Sequence, residues 1–230
     1  MATEGTNPRQ PTAVLFDLDG TLIDTYRLYL ESYRRALAPH LGYAPTDEEI
    51  VARRPLAERL FLAEWLGDAR VDACHAAMRE HYAELHGALG GGMYEGVREM
   101  LAALRAAGMR LGIVTGKGRG AWEITAAALE LGRWDVVVTE DDVRAPKPDP
   151  EGLLAALDAL GVEPGAAVYV GDSAGDLRAG RAAGTRVAAA LWPKDAPGER
   201  ERFLDEVREL EPDWAFDRPA DLTRTFAPWC

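Results

Sequence analysis

Short apolar runs, rich in β-branched residues, alternate along the chain with segments of helical periodicity. The runs fall at residues 13–17, 111–115, 136–139, 168–172 and 187–191. Each is short enough and continuous enough in its apolar character to be a strand covered on both faces. Between the runs, Val97, Met100, Leu101 and Leu104 recur at helical spacing up to Gly108, and residues 150–160 and 174–183 stop at Gly161 and Gly184. A glycine just past the last periodic position is a helix C-terminus signal. The alternation predicts βαβ units, hence an α/β fold with a doubly wound, Rossmann-like parallel sheet and right-handed crossovers.

One interval breaks this pattern. From Thr25 to Gly92 the periodicity is helical and no strand is evident: Tyr26, Tyr29, Leu30, Tyr33 and Leu37 share one helix face. Thr46-Asp47-Glu48-Glu49 reads as a capping box, Pro55 opens a third helix, and Val71, Cys74, Met78, Tyr82, Leu85 and Leu89 mark a fourth. Gly90-Gly91-Gly92 reads as a flexible hinge. The expected organisation is an all-helical domain at 25–92 inserted into a core of 12–24 and 93–230, with a polar, disordered tail at 1–11. After Leu191, residues 198–210 read as a charged helix and 213–216 as an edge strand. Trp192, Trp214 and Trp229 read as packing residues.

The 230 residues carry a net charge of −12, which disfavours nucleic acid and anionic membrane as partners. Only three of the 26 basic residues are lysines, so a lysine beside other polar chemistry stands out. Cys74 and Cys230 lie far apart and form neither a disulfide nor a zinc pattern, and residues 1–11 lack the apolar segment of a signal peptide. A cytoplasmic setting is expected. No apolar stripe assigns an oligomeric state.

Four pieces of polar chemistry follow strands or precede a helix. Asp17-Leu18-Asp19-Gly20-Thr21 ends the first strand, placing two carboxylates where they repel unless a cation relieves them. Thr115-Gly116-Lys117 ends the second, Lys147 sits in Pro146-Lys147-Pro148-Asp149-Pro150, and Gly171-Asp172-Ser173-Ala174-Gly175-Asp176 ends the fourth. In a parallel sheet these ends share one side, so the groups converge on one crevice. Blander roles compete for some residues: Asp24 and Asp149 read as turn caps, Asp176 as a helix cap or a site residue, and Lys117 as a surface or a site residue. Gly116, Gly118 and Gly120 lack the spacing of nucleotide loops and read as turn and helix-opening residues. His40, His75, His81 and His86 all fall in the insertion, without the i, i+4 spacing of a helical metal pair, and read as helix-surface or interface residues.

Taken in order, D-x-D-G-T at residues 17–21, Thr115, Lys147-Pro148 and G-D-x-x-x-D at residues 171–176 make the chain closely similar to the haloacid dehalogenase superfamily, with the insertion resembling its helical type 1 cap. The resemblance spans residues 13–191. It implies Asp17 as the nucleophile that forms an aspartyl-phosphate, and Asp19 as general acid and then base. It implies Mg2+ held by the Asp17 carboxylate, the Asp19 carbonyl and the Asp172 carboxylate, with Asp176 orienting this group and direct ligation as the alternative. Leu18 and Asp19, Thr115, Gly116 and Lys147 would bind the phosphoryl group, Thr115 and Lys147 counting as catalytic.

Within the superfamily, Asp19 stands where dehalogenases carry a non-acidic residue. No lysine between Thr25 and Gly92 matches the Schiff base of phosphonate-cleaving relatives, and the residues after the first motif lack the histidine of β-phosphoglucomutases. The implied activity is hydrolysis of a small anionic phosphorylated metabolite, most like that of phosphoglycolate phosphatases. A pyrophosphatase, a phosphomutase and, last, a non-catalytic binding protein are the alternatives. Between two cap helices, Arg53 or Arg54 is the expected contact for the non-reacting anionic end of the substrate, the alternative being that both are solvated or paired with Asp47 or Glu58.

Overall fold

The computed structural model describes residues 10–53 and 57–228. Most of the expected tail, Arg54, Pro55, Leu56, Trp229 and Cys230 therefore lie outside the described residues. Gln10 and Pro11, expected in the tail, pack on the core: Pro11 is buried and Gln10 Nε2 donates to the Phe226 carbonyl at 2.9 Å.

The chain forms strand β1 (Ala13–Phe16), a two-residue strand β2 (Ile23–Asp24), helices α1 (Tyr26–Leu41), α2 (Asp47–Ala52), α3 (Glu58–Leu66) and α4 (Val71–Leu89), and a two-residue strand β3 (Gly92–Met93). Then come α5 (Val97–Ala106), β4 (Arg110–Val114), α6 (Arg119–Ala128), β5 (Val136–Val138), α7 (Glu151–Leu160), β6 (Ala167–Gly171), α8 (Ala174–Ala182), β7 (Arg186–Ala190), α9 (Glu199–Glu206), β8 (Trp214–Phe216) and α10 (Pro219–Phe226).

Six strands pair in the order β5-β4-β1-β6-β7-β8, every pair parallel. β1 is buried along its whole length, because alternate residues feed two separate cores. Val14 and Phe16 point to the face covered by α5 and α10, Ala13 and Leu15 to the face covered by α7. From β1 the chain moves to β4 on one side and later returns to β6 on the other. That reversal leaves a crevice at the carboxyl end of β1, where such sheets place ligands.

Helices α1 to α4 share an apolar cluster that includes Leu28, Tyr33, Phe61, Leu62, Cys74, Met78 and Tyr82. Thr46 caps α2 as expected, with Glu49 completing the capping box. Where a flexible hinge was expected, Gly92 and Met93 pair antiparallel with Asp24 and Ile23, so the two chain crossings run side by side. A side chain at Gly91 would collide with the Asp24 carbonyl, which accounts for glycine there. α10 carried no recognised sequence signal; it covers the sheet through Leu222 and Phe226, the latter edge-on to Trp214 and Phe216.

Candidate active site

The carboxyl end of β1 turns sharply at Gly20, whose φ of 82° suits glycine, while Gly20 and Leu22 N–H donate to the carbonyls of Ile23 and Leu18. A Cβ at Gly20 would also lie 2.8 Å from Asp172 Oδ2, so the turn needs its glycine twice over. This turn puts Asp17 and Asp19 at the crevice. β4 delivers Thr115 and Gly116, β6 delivers Asp172, and all of them line one cavity of about 790 Å³ together with Lys147 and Asp176.

Lys147 Nζ donates to Asp17 Oδ1 and Asp176 Oδ1, both at 2.6 Å, and to the Tyr169 hydroxyl at 3.1 Å. Burial works against charge on this ammonium, yet Asp17 and Asp176 hold it protonated well above the usual lysine range. Burial pushes the Asp17 carboxyl well up against the opposing pull of Lys147, and the charges of Asp176 and Asp172 add to that push. Asp172 is likewise raised by burial, with Lys194 opposing. Burial thus disfavours ionisation of both carboxyls despite the ammonium beside each.

Asp176 caps a helix and also faces the cavity. Its Oδ2 accepts from the Ser173 N–H and hydroxyl at 3.1 and 2.5 Å, completing the capping box of α8, and its Oδ1 accepts from Lys147 and the Tyr169 hydroxyl. Burial works to raise it, but Lys147 and the hydrogen bonds from Lys147, Ser173 and Tyr169 together hold it below its ordinary value. A Cβ at Gly171 would lie 2.5 Å from Asp176 Cγ, so that glycine is what admits Asp176 against β6.

Oxygens of Asp17, Asp172 and Asp176 lie within 4.8 Å of one another. Carboxylate oxygens are hard donors, and this buried all-oxygen group fits a hard divalent metal. Each Asp176 oxygen accepts two hydrogen bonds, whereas each Asp172 oxygen accepts one, so Asp17 and Asp172 are the better-suited ligands.

Lys117 is buried at the cavity wall rather than placed on the surface. Its side chain is fully buried, and Nζ lies 3.0 Å from Asp19 Oδ1 while donating to the hydroxyls of Tyr29 at 2.8 Å and Tyr82 at 2.7 Å. Two of its protons go to the tyrosines, and the charge is paired with Asp19. Asp19 also accepts from the Thr25 hydroxyl. Burial works against charge on Lys117, but Asp19 foremost, then Tyr82 and Glu58, raise it above its ordinary value.

Sequence reasoning missed Lys194, whose Nζ donates to Asp172 Oδ2 at 2.6 Å, while the Thr21 hydroxyl donates to Oδ1 at 3.1 Å. Its rarity was the available signal, since each of the three lysines ends on a carboxylate of this site. Trp192, beside it, donates Nε1–H to the Thr21 carbonyl at 2.8 Å and ties the loop after β7 to the first turn. Asp24 and Asp149 accept from the N–H groups of Tyr26 and Glu151, as turn caps.

Arg53 is placed away from the cavity wall. Its guanidinium lies 3.7 Å from the centre of the Trp65 ring and donates to the Glu49 carbonyl. The arginines that line the cavity are Arg178 of α8 and Arg202 of α9, both exposed at its rim.

A doubly wound sheet with paired aspartates at the end of β1, a lysine on the first of them and a third aspartate from β6 defines a site of the haloacid dehalogenase kind. The profile of the haloacid dehalogenase-like hydrolases matches residues 14–190, and the chain belongs to that family and is a hydrolase. It is 36% identical over 217 residues to pyrophosphatase PpaX of Bacillus velezensis, covering 93% of this chain and 95% of that one. It is 39% identical over 194 residues to a plasmid-borne phosphoglycolate phosphatase of Cupriavidus necator, covering 81% and 84%. A crystal structure of a phosphoglycolate phosphatase-like protein from Lactobacillus plantarum superposes with a TM-score of 0.77 at 26% identity, over 94% of this chain and all of that one. Among the described residues no helix is long and apolar enough to cross a membrane.

Proposed function

We propose that the protein is a Mg2+-dependent phosphatase of the cytoplasm that hydrolyses a small phosphomonoester through an aspartyl-phosphate. The observation that carries this reading is the meeting of Asp17, Lys147 and Asp172 at one mouth of the cavity. An Asp17 oxygen attacks phosphorus in line as the bond to the leaving oxygen breaks. Lys147, already on Asp17 Oδ1, offsets the charge of carboxylate and phosphoryl group together. Asp19 protonates the leaving oxygen and then takes a proton from water, whose oxygen displaces Asp17.

The Thr115 hydroxyl, the Gly116 N–H and the backbone N–H groups of Leu18 and Asp19 are assigned to the phosphoryl oxygens; the Leu18 side chain itself is buried in the core. Asp17 and Asp172 with the Asp19 carbonyl would hold Mg2+, which when bound supplies positive charge to the phosphoryl oxygens. Asp176 acts by holding Lys147 in place.

Helices α1 to α4, residues 25–92, form a cap over a core made of 12–24 and 93–230. Tyr26, Tyr29, Tyr33, Ile50 and Val51 of the cap line the cavity opposite the aspartates, which supports a role in excluding water. Arg178 and Arg202 are assigned to a distal anionic group of the substrate, whereas Arg53 would first have to leave Trp65. Those arginines, and the identity to PpaX, also favour pyrophosphate as a second candidate substrate.

Release of phosphate from a panel of esters, with and without Mg2+, tests the reading. Asp17→Asn should lower turnover by at least about a thousandfold with the fold intact. Full activity in that variant rules out the nucleophile, and an isomeric sugar phosphate in place of free phosphate identifies a mutase.

A further inference from the structure

A second cluster of ionisable groups lies apart from the catalytic aspartates, where α3 and α4 meet the turn after β5. Glu58, His75 and Glu140 each offer one atom to a group whose members lie within 4.8 Å of one another. His75 Nε2 is 2.8 Å from Glu58 Oε2 and 3.9 Å from Glu140 Oε1. The side chains of Glu58, His75 and Glu140 are only 2%, 6% and 5% exposed. Glu58 is fully partnered, since its Oε1 accepts from the Tyr29 hydroxyl at 2.6 Å. Glu140 is not: its Oε2 accepts from the Arg59 N–H at 3.3 Å, but its Oε1 is buried and has no hydrogen-bond partner.

An orphaned buried carboxylate oxygen facing an imidazole nitrogen and a second carboxylate is costly as it stands. We propose that Glu58, His75 and Glu140 form a binding site for a transition-type divalent cation, of the Zn2+ class, that joins the helical insertion to the sheet. Ligand atoms about 2.0–2.2 Å from a tetrahedral Zn2+ sit about 3.4 Å from each other. The present separations of 2.8 and 3.9 Å bracket that value, so small movements of opposite sign complete the set. The imidazole selects the metal class, because Mg2+ and Ca2+ prefer oxygen donors alone.

Binding has a proton balance. His75 Nε2 must present its lone pair to the cation, so the imidazole proton sits on Nδ1, which now lies 3.4 Å from Arg59 Nη1. Arg59 then has to turn outward to Asp72, with which it already pairs at the surface. Arg59 therefore opposes the site, and its removal strengthens it. This inference does not depend on the phosphatase reading.

The test uses chelator-treated Asp172→Asn protein, in which the other acidic cluster is weakened, titrated with Zn2+ by calorimetry and with Co2+ by visible absorption. One Zn2+ per chain is expected. Glu140→Gln on that background should weaken binding at least about tenfold, Arg59→Ala should tighten it, and His75→Gln should abolish the Co2+ spectrum of a nitrogen ligand. Should these variants fail to fold by circular dichroism, anomalous diffraction at the zinc edge on wild-type crystals locates the ion directly. No stoichiometric binding, an affinity that Glu140→Gln leaves unchanged, or an anomalous peak away from these three side chains overturns the proposal.

Discussion

Lys194 Nζ lies 2.6 Å from Asp172 Oδ2, so the carboxylate assigned to the cation already has a positive partner. Two like charges about 4 Å apart repel by about 4 kcal/mol at an effective dielectric of 20, and water at the rim screens part of this. Lys194→Met should therefore lower the half-saturating Mg2+ concentration, by roughly three- to tenfold. The Thr21 hydroxyl still holds the other Asp172 oxygen in that variant, so the ligand stays oriented. Titration of phosphate release against Mg2+ checks this, and an unchanged or higher requirement would assign Lys194 to orientation instead.

Gly171→Ala forces a methyl group against Asp176. Overpacking of this kind costs about 1–3 kcal/mol. Displacing Asp176 also releases Lys147 from one of its two carboxylates, so kcat should fall together with the melting temperature. A Cβ at Gly180 would press on Val187 and meet the Tyr169 ring only at an ordinary 3.4 Å, touching neither Asp176 nor Lys147, and Gly180→Ala should lower stability while largely sparing kcat.

Lys117 fills a slot between two tyrosine rings, its Nζ 4.3 and 4.5 Å from the centres of Tyr29 and Tyr82. Removing one partner of a buried ion pair costs about 3–5 kcal/mol, and the partly exposed Asp19 places this pair toward the low end. Lys117→Met should destabilise the fold and lower kcat by about 10–100-fold through Asp19. Lys117→Arg should not rescue, because a larger planar guanidinium does not fit the slot in which one nitrogen bonds both tyrosine hydroxyls and pairs with Asp19. Melting curves and kcat measured on both variants settle whether charge alone suffices.

Cys74 is buried in the helical insertion, and burial pushes its thiol from 9.0 up to about 11. A folded-state value above the unfolded one means that the protonated thiol stabilises the fold. That contribution is present below about pH 9 and is lost as pH rises through 11. In a Cys230→Ser background the remaining thiol should alkylate more than about a hundredfold slower than in urea-unfolded chain, at a rate set by opening of the insertion. Above pH 9 the melting temperature should fall more steeply in that protein than after a further Cys74→Ala change.

Much of the core was legible because its information is local. The strands were read to within a residue or two, since a continuous apolar run bounded by Asp, Thr or Gly can hardly be anything else in a parallel sheet. The motif residues converge as read, because parallel strands bring their carboxyl ends to one edge. What stayed hidden depends on contacts remote in sequence. Lys117 reaches Tyr82 across 35 positions and Lys194 reaches Asp172 across 22, and no periodicity encodes either. Arg53 looked free to meet a substrate, but a neighbouring turn of chain brings Trp65 beneath it. The four histidines gave no metal spacing, since the glutamates that meet His75 lie 17 positions before it and 65 after it.

The confinement of all three lysines to the one cavity has a practical side. Their side chains are 0%, 12% and 14% exposed, while the outer surface carries its positive charge as arginine. Amine-directed reagents, whether dyes, crosslinkers or immobilising resins, will reach few lysine side chains without entering the cavity. The extent of lysine labelling then becomes a direct gauge of how open that cavity is, and protection by a bound substrate can be read at each lysine by mass spectrometry.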